Sequence, residues 1–203
     1  MSTRAATFVV LIILLLIAGF AGIYIYLGAY NIGADAPHSK FVYDTLGAVR
    51  DRAIANHSRD IKAPADLNDS GRIARGAGLY SEMCASCHLG PGLEKSELSQ
   101  GLYPPAPELT GGAGGPAAEQ FWIIKHGVKL TAMPAWGKTH DDRLIWDMVA
   151  FIRQLPKMSP GQYKAAVASA PGSHEEMMEG SEAHETASKP HSHTDGHKHE
   201  HSR

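Results

Sequence analysis

Cys84-Ala85-Ser86-Cys87-His88 contains both cysteines of this 203-residue chain, and no other feature constrains the fold as strongly. The C-x-x-C-H spacing is the attachment signature of c-type haem. Two thiols separated by two residues reach the two porphyrin vinyl groups as thioethers, and the next residue, His88, falls beneath the iron as proximal ligand. A thioredoxin-like dithiol would need a βαβ setting that the sequence lacks, and half a zinc site would need a second ligand pair at suitable spacing. With both thiols in one motif, no structural disulfide is left to close the fold. The segment around the motif also needs a large apolar filler. Gly71 to Leu155 offers only about 85 loop-rich residues, which alone would make a marginal core.

Ahead of that segment, Ala5 to Ala34 carries no charge, and Phe8 to Leu27 is almost purely aliphatic and aromatic. Twenty such residues in a helix cover roughly 30 Å, the thickness of a bilayer's hydrocarbon layer. Tyr24, Tyr26 and Tyr30 would then lie at the far interface, where amphipathic rings prefer to sit. The rival reading is a cleaved signal peptide, because Ala34-Asp35-Ala36 has a small-x-small form; the apolar run, however, exceeds the usual 7–15 residues and ends well before that point. Flanking charge does not settle orientation, since Arg4 and the amino terminus face Lys40 and Arg50.

Ser39 to Asn56 reads as an amphipathic stalk helix with Phe41, Val42, Leu46, Val49 and Ile54 near one face and Arg50, Arg52 and Arg59 toward its basic end. It would be solvated, or would touch lipid headgroups or a partner subunit. Ile61 to Ser70 reads as a linker ending in helix-capping residues. A helix running to Cys84 follows, then Gly/Pro-rich loops and a short helix between Gly115-Pro116 and Gly127. The last helix of the domain is expected after a Thr139 cap, with Asp142 in its first turn, an apolar face of Leu144, Met148, Phe151, Ile152 and Leu155, and an end before Pro156. Few strands are implied.

A haem held by His88 is either closed or open on its other side, and that choice separates electron transfer from ligand chemistry. Met133, in the interhelical loop Leu130-Thr131-Ala132-Met133-Pro134-Ala135-Trp136, is the candidate sixth ligand, with Pro134 stiffening the backbone beside the sulfur. A thioether on iron favours the ferrous state and raises the potential. Met83 adjoins the attachment motif, Met148 belongs to an apolar stripe, and Met158 follows the domain's end. His126 or His140 would instead give a bis-His haem at lower potential. Trp122 and Trp136 have the size either to wall the crevice or simply to pack. Lys125, Lys129 and Lys138 flank the Met133 loop and would either guide an acidic partner or only solubilise the surface.

From about Arg72 to Leu155 the chain resembles the small class I cytochromes c with one His/Met haem. It is similar above all to cytochrome c domains of membrane dehydrogenases and haem-copper oxidases. The resemblance is carried by Gly-Leu-Tyr-Ser-Glu-Met-Cys-Ala-Ser-Cys-His, by Ile-Lys-His-Gly-Val at Ile124 to Val128, and by Met-Pro-Ala-Trp-Gly. It implies an all-α class I cytochrome c fold, a few helices and long loops around one haem, here behind an N-terminal transmembrane helix. It also implies a crossing of first and last helices at Gly76, Tyr80 and Phe151. In Pro107-Glu108-Leu109, the Pro107 carbonyl would accept a hydrogen bond from the proximal imidazole. Such domains receive haem outside the cytoplasm, which implies a single-pass protein of the bacterial inner membrane with its haem domain in the periplasm. The expected organisation is a cytoplasmic N-terminus (1–4), a transmembrane anchor (5–30), the stalk helix and linker (31–70), the cytochrome c domain (71–157), a short helix (158–170) and a disordered His-rich tail (171–203).

The formal charge of −2 and the lack of a basic block give no footing for nucleic acid. The tail carries His174, His184, His191, His193, His197, His199 and His201; His191 to His201 would bind copper, nickel or zinc, by design or adventitiously. The expected function is a non-enzymatic single-electron carrier with one covalent haem c and no small-molecule substrate. A quinol-oxidising or dehydrogenase donor would reduce it, and an oxidase or cytochrome would oxidise it. A ligand-binding or peroxidase-type haem protein and a metal-handling cytochrome are the alternatives.

Overall fold

Helix α3 (Ser70–Met83) begins where the Asp69 carboxylate accepts the backbone N–H groups of Gly71 and Arg72, and helix α7 (Asp142–Ile152) begins where Asp141 does the same for Leu144. These side chains satisfy donors that the first turn of a helix leaves orphaned. The two helices cross at Gly76. A Cβ there would lie 2.0 Å from the Asp147 carbonyl oxygen and 2.9 Å from the Phe151 Cβ, so only glycine lets the backbones meet. Around the crossing, Leu79, Tyr80, Leu144, Ile145, Met148, Val149 and Phe151 are fully buried. The Tyr80 and Phe151 rings lie 5.5 Å apart, as the crossing inferred from the resemblance requires.

One charge sits inside this crossing. Asp147 is wholly buried and bridged by Arg72 and Arg75, each at 2.7 Å, while Arg72 also reaches Asp66 at 2.8 Å. Burial pushes the Asp147 carboxyl up from its usual range, and the two guanidiniums pull against that shift.

The computed structural model describes residues 2–112, 115–172 and 175–177, and among them there are helices and no strands. The first compact unit, Met1–Ser39, is built on helix α1 (Thr3–Tyr26), which is apolar on every side and has no buried residue. An all-round apolar helix of this length suits lipid rather than water. It starts before and stops before the expected 5–30 limits. Tyr30, beyond its end, is hydrogen-bonded to His38.

The second unit runs from Lys40 and contains helix α2 (Lys40–Ser58), α3, the single turns α4 (Ala85–His88) and α5 (Glu97–Gln100), helix α6 (Ala117–His126), α7 and helix α8 (Pro160–Ala168). Gly127 ends α6 as the sequence implies. One expectation changes. Thr139 does not cap α7; its hydroxyl donates to the Trp136 carbonyl and meets His140 Nδ1, and Asp141 caps instead. The helix ends at Ile152, and Leu155–Lys157 form a separate 3₁₀ turn around Pro156. In α2 the face of Phe41, Leu46 and Val49 stays exposed, and only Ile54 of that set is buried.

Nor is α2 a free stalk. Ile54 and Ser58 are buried, and His57 stacks on Trp122 of α6 with ring centroids 5.7 Å apart. Beyond α7, the Ser159–Gln162 capping box starts α8, whose Tyr163 packs among Tyr80 and Phe151. Residues 175–177 are helical, and Met177 is buried. His174, His184, His191, His193, His197, His199 and His201 lie outside the described residues.

Asp147→Ala leaves Arg72 and Arg75 without their buried acceptor. Urea unfolding of the variant is expected to show a loss of about 3–5 kcal/mol, the usual cost of breaking a buried ion pair on one side.

Candidate haem site

The attachment motif is a helical turn laid directly onto the end of α3. Cys84 N–H donates to the Tyr80 carbonyl at 2.9 Å, and His88 N–H donates to Cys84 at 2.9 Å. Tyr80 fixes the far side of the turn, because its hydroxyl donates to the Leu89 carbonyl from within the core. Ser96 holds the exposed side by donating to the Ser86 carbonyl at 2.6 Å. Burial, with Cys87 close by, pushes the Cys84 thiol up to about 12.

His88 Nδ1 donates to the Pro107 carbonyl at 2.8 Å. The proton on Nδ1 leaves Nε2 with the lone pair, and the hydrogen bond fixes the ring plane. On another loop, Thr131 organises the segment that carries Met133. Its hydroxyl donates to the Val128 carbonyl at 2.7 Å and accepts from the Met133 N–H at 3.1 Å, while Val128 N–H donates to the Met133 carbonyl at 3.1 Å. Gly127, at φ +66°, lets this loop turn back on the end of α6.

Cys84, Cys87, His88, Pro107 and Met133 line one cavity of about 430 Å³. Its walls are mainly apolar: Met83, Leu102, Leu109, Ile123, Ile124, Val128 and Ile152 among them. Among the described residues no carboxylate lines it. Gln120 also lines it, and its Oε1 is buried with no hydrogen-bond partner. Two thiols, an oriented imidazole, a thioether, apolar walls and an orphaned polar atom together fit an iron porphyrin with polar edge groups.

Several other candidates do not meet there. Trp136 lines the cavity but Trp122 does not; Trp122 stands between His57 and His126, with the His126 ring at 5.0 Å. His126 and His140 are both absent from the lining. Lys125 is held by Asp142 at 2.6 Å rather than free at the rim. Met148 is fully buried in the core. Among the described residues no cluster of three or more His, Cys, Asp or Glu is arranged for a metal ion.

The sequence reading missed the contribution of α2, since Tyr43, Arg50 and Ile54 also line the cavity. The signal was present. These three positions recur seven and four residues apart and so fall on one helix face, of which only Ile54 belongs to the apolar set read from the sequence.

A helical fold wrapped on an apolar cavity, with C-x-x-C-H at its wall and an apolar helix at the N-terminal end of the chain, is similar to a cytochrome c domain. Residues 71–152 match the family model described as cytochrome c oxidase, cbb3-type, subunit III. A protein of Azospirillum sp. (strain B510), named Cbb3-type cytochrome c oxidase subunit CcoP, is 30% identical over 91 residues, covering 43% of this chain and 30% of that protein. The chain therefore spans less than a third of that relative's length. No solved structure matches it.

Gly127→Ala would put a Cβ 2.7 Å from the Met133 carbonyl oxygen and force φ +66° on a residue that resists it. The variant is expected to lose more than about 1 kcal/mol in urea unfolding, because alanine destabilises where φ is positive.

Proposed function

We propose that the chain is a membrane-tethered single-electron carrier with one haem c, bound covalently through Cys84 and Cys87 and ligated axially by His88 and Met133. The observation that carries this reading is the convergence of those four side chains on one apolar cavity. The bound iron porphyrin supplies a ferric/ferrous couple. The chain's own residues set its conditions. Pro107 orients the His88 ring and raises its donor strength, and the Thr131-braced loop presents the Met133 thioether, which favours the reduced state. The apolar walls would limit water around the bound group and so lower the reorganisation that accompanies electron transfer. With His88 and Met133 both holding the iron, the group would have no open position for a substrate, which supports the role of a carrier or a cytochrome subunit rather than an enzyme.

Partners follow from the same chemistry. A quinol-oxidising or dehydrogenase protein would donate the electron, and an oxidase or another cytochrome would accept it. The relative's name, an oxidase subunit, supports an oxidase partner. Helix α1 supports attachment to a bacterial inner membrane, with the haem domain facing the periplasm, where c-type haem is attached. Tethering keeps donor and acceptor at high effective concentration, which matters for a protein with nearly balanced charge and hence weak long-range steering.

In the test, mature full-length protein is weighed and then compared with two methionine variants. One haem mass above the polypeptide is expected. Met133→Ala should keep that mass, bind carbon monoxide in the ferrous state at neutral pH and fall in potential. Met148→Leu should keep the wild-type potential and cost less than about 1.5 kcal/mol, as near-isosteric core swaps do. A Met133→Ala protein with wild-type potential and no affinity for carbon monoxide would remove Met133 from the iron.

A further inference from the structure

Helix α2 lies outside the segment that matches the cytochrome family, yet it closes one side of the cavity. Its inner face is anchored by buried Ile54 and Ser58 and by the stack of His57 on Trp122. That anchorage fixes the side chains one and three turns earlier, Arg50 and Tyr43, along the cavity wall.

Among the described residues Arg50 is the one arginine or lysine in the cavity lining, and no aspartate or glutamate lines it. Its Nε donates to Asp51 at 2.7 Å, and that contact holds its charge more firmly by raising its pKa. The two terminal nitrogens have no hydrogen-bond partner among the described residues. Facing the same cavity, Gln120 of α6 is 9% exposed with an unpartnered carboxamide oxygen. A fixed cation and an orphaned amide in an otherwise apolar cleft call for a ligand whose apolar body carries a carboxylate at its edge. A planar porphyrin with propionate groups has that chemistry.

We propose that α2 is a wall of the haem cleft, and that Arg50, steadied by Asp51 and accompanied by Tyr43 and Gln120, pairs with a haem propionate. The inference rests on the haem reading above and adds a cofactor-positioning residue from outside the family-matched domain. It has an electrostatic consequence. A guanidinium near the macrocycle disfavours the ferric state, which carries one more positive charge, so Arg50 raises the potential.

The experiment is potentiometric titration of the full-length, haem-loaded protein carrying Arg50→Lys, Arg50→Gln or Arg50→Glu, with haem content read by mass. Arg52→Gln is the control, because Arg52 is exposed on the opposite face of the same helix. The expected result is an unchanged haem mass and a potential that follows charge: near wild type for Lys, lower for Gln, lowest for Glu, and unmoved by Arg52→Gln. If Arg50→Glu does not mature, the Lys and Gln variants carry the same order. Wild-type potentials in the Gln and Glu variants, or an equal shift from Arg52→Gln, would overturn the inference while leaving the haem reading intact. Wild-type protein without the haem mass would overturn both.

Discussion

The close approach of α3 and α7 at Gly76 is the constraint on which the rest of the second unit depends. Because the Gly76 backbone rests on the Asp147 carbonyl, the helices are near enough for Tyr80, Phe151 and Tyr163 to form one aromatic cluster, and for Arg72 and Arg75 of one helix to close on Asp147 of the other. The attachment turn is continuous with α3, so its position follows from this crossing. Moving α7 away would displace the Tyr80 anchor under Leu89 and, with it, the cysteines and His88. The buried ion cluster adds direction more than strength, since burying charge is expensive even when it is paired; two arginines and one aspartate fit in one register.

The cavity is assembled from segments that share no regular contact in sequence. The end of α3 and the α4 turn bring the thiols and the imidazole. The proline-rich loop from Leu102 to Pro107 brings the carbonyl that orients His88, and the loop after α6 brings Met133. Each segment is braced locally: Ser96 on Ser86, Thr131 on Val128, Gly127 behind Met133. Loops braced in this way would suit the proposed single-electron role, because a ligand set held in place would need little reorganisation when the iron changes charge.

Helix α2 links the apolar anchor, in sequence, to the haem unit. Its inner face serves the cavity, and its outer face leaves Phe41, Leu46 and Val49 exposed. The same helix therefore carries two different periodic signals, and the more hydrophobic one is not the one that the haem unit buries.

By itself the sequence determined what is local: C-x-x-C-H as one compact motif holding both thiols and His88, an uncharged run long enough to span a bilayer, the Gly127 stop, the capped entry at Asp69, and the methionine loop between two helices. Each of these is written in neighbouring residues whose covalent geometry or helix chemistry allows few outcomes. The resemblance to class I cytochromes extended that to the Gly76, Tyr80 and Phe151 crossing and to Pro107. Only the tertiary structure decided matters that depend on which faces meet. It put Asp141 rather than Thr139 at the head of α7, turned Trp122 away from the cavity toward His57, tied Lys125 to Asp142, and brought Arg50 and Gln120 to the cavity wall. A side chain's partner across the fold is set by packing between distant segments, and hydrophobic period along one helix does not reveal which of its faces another element will cover.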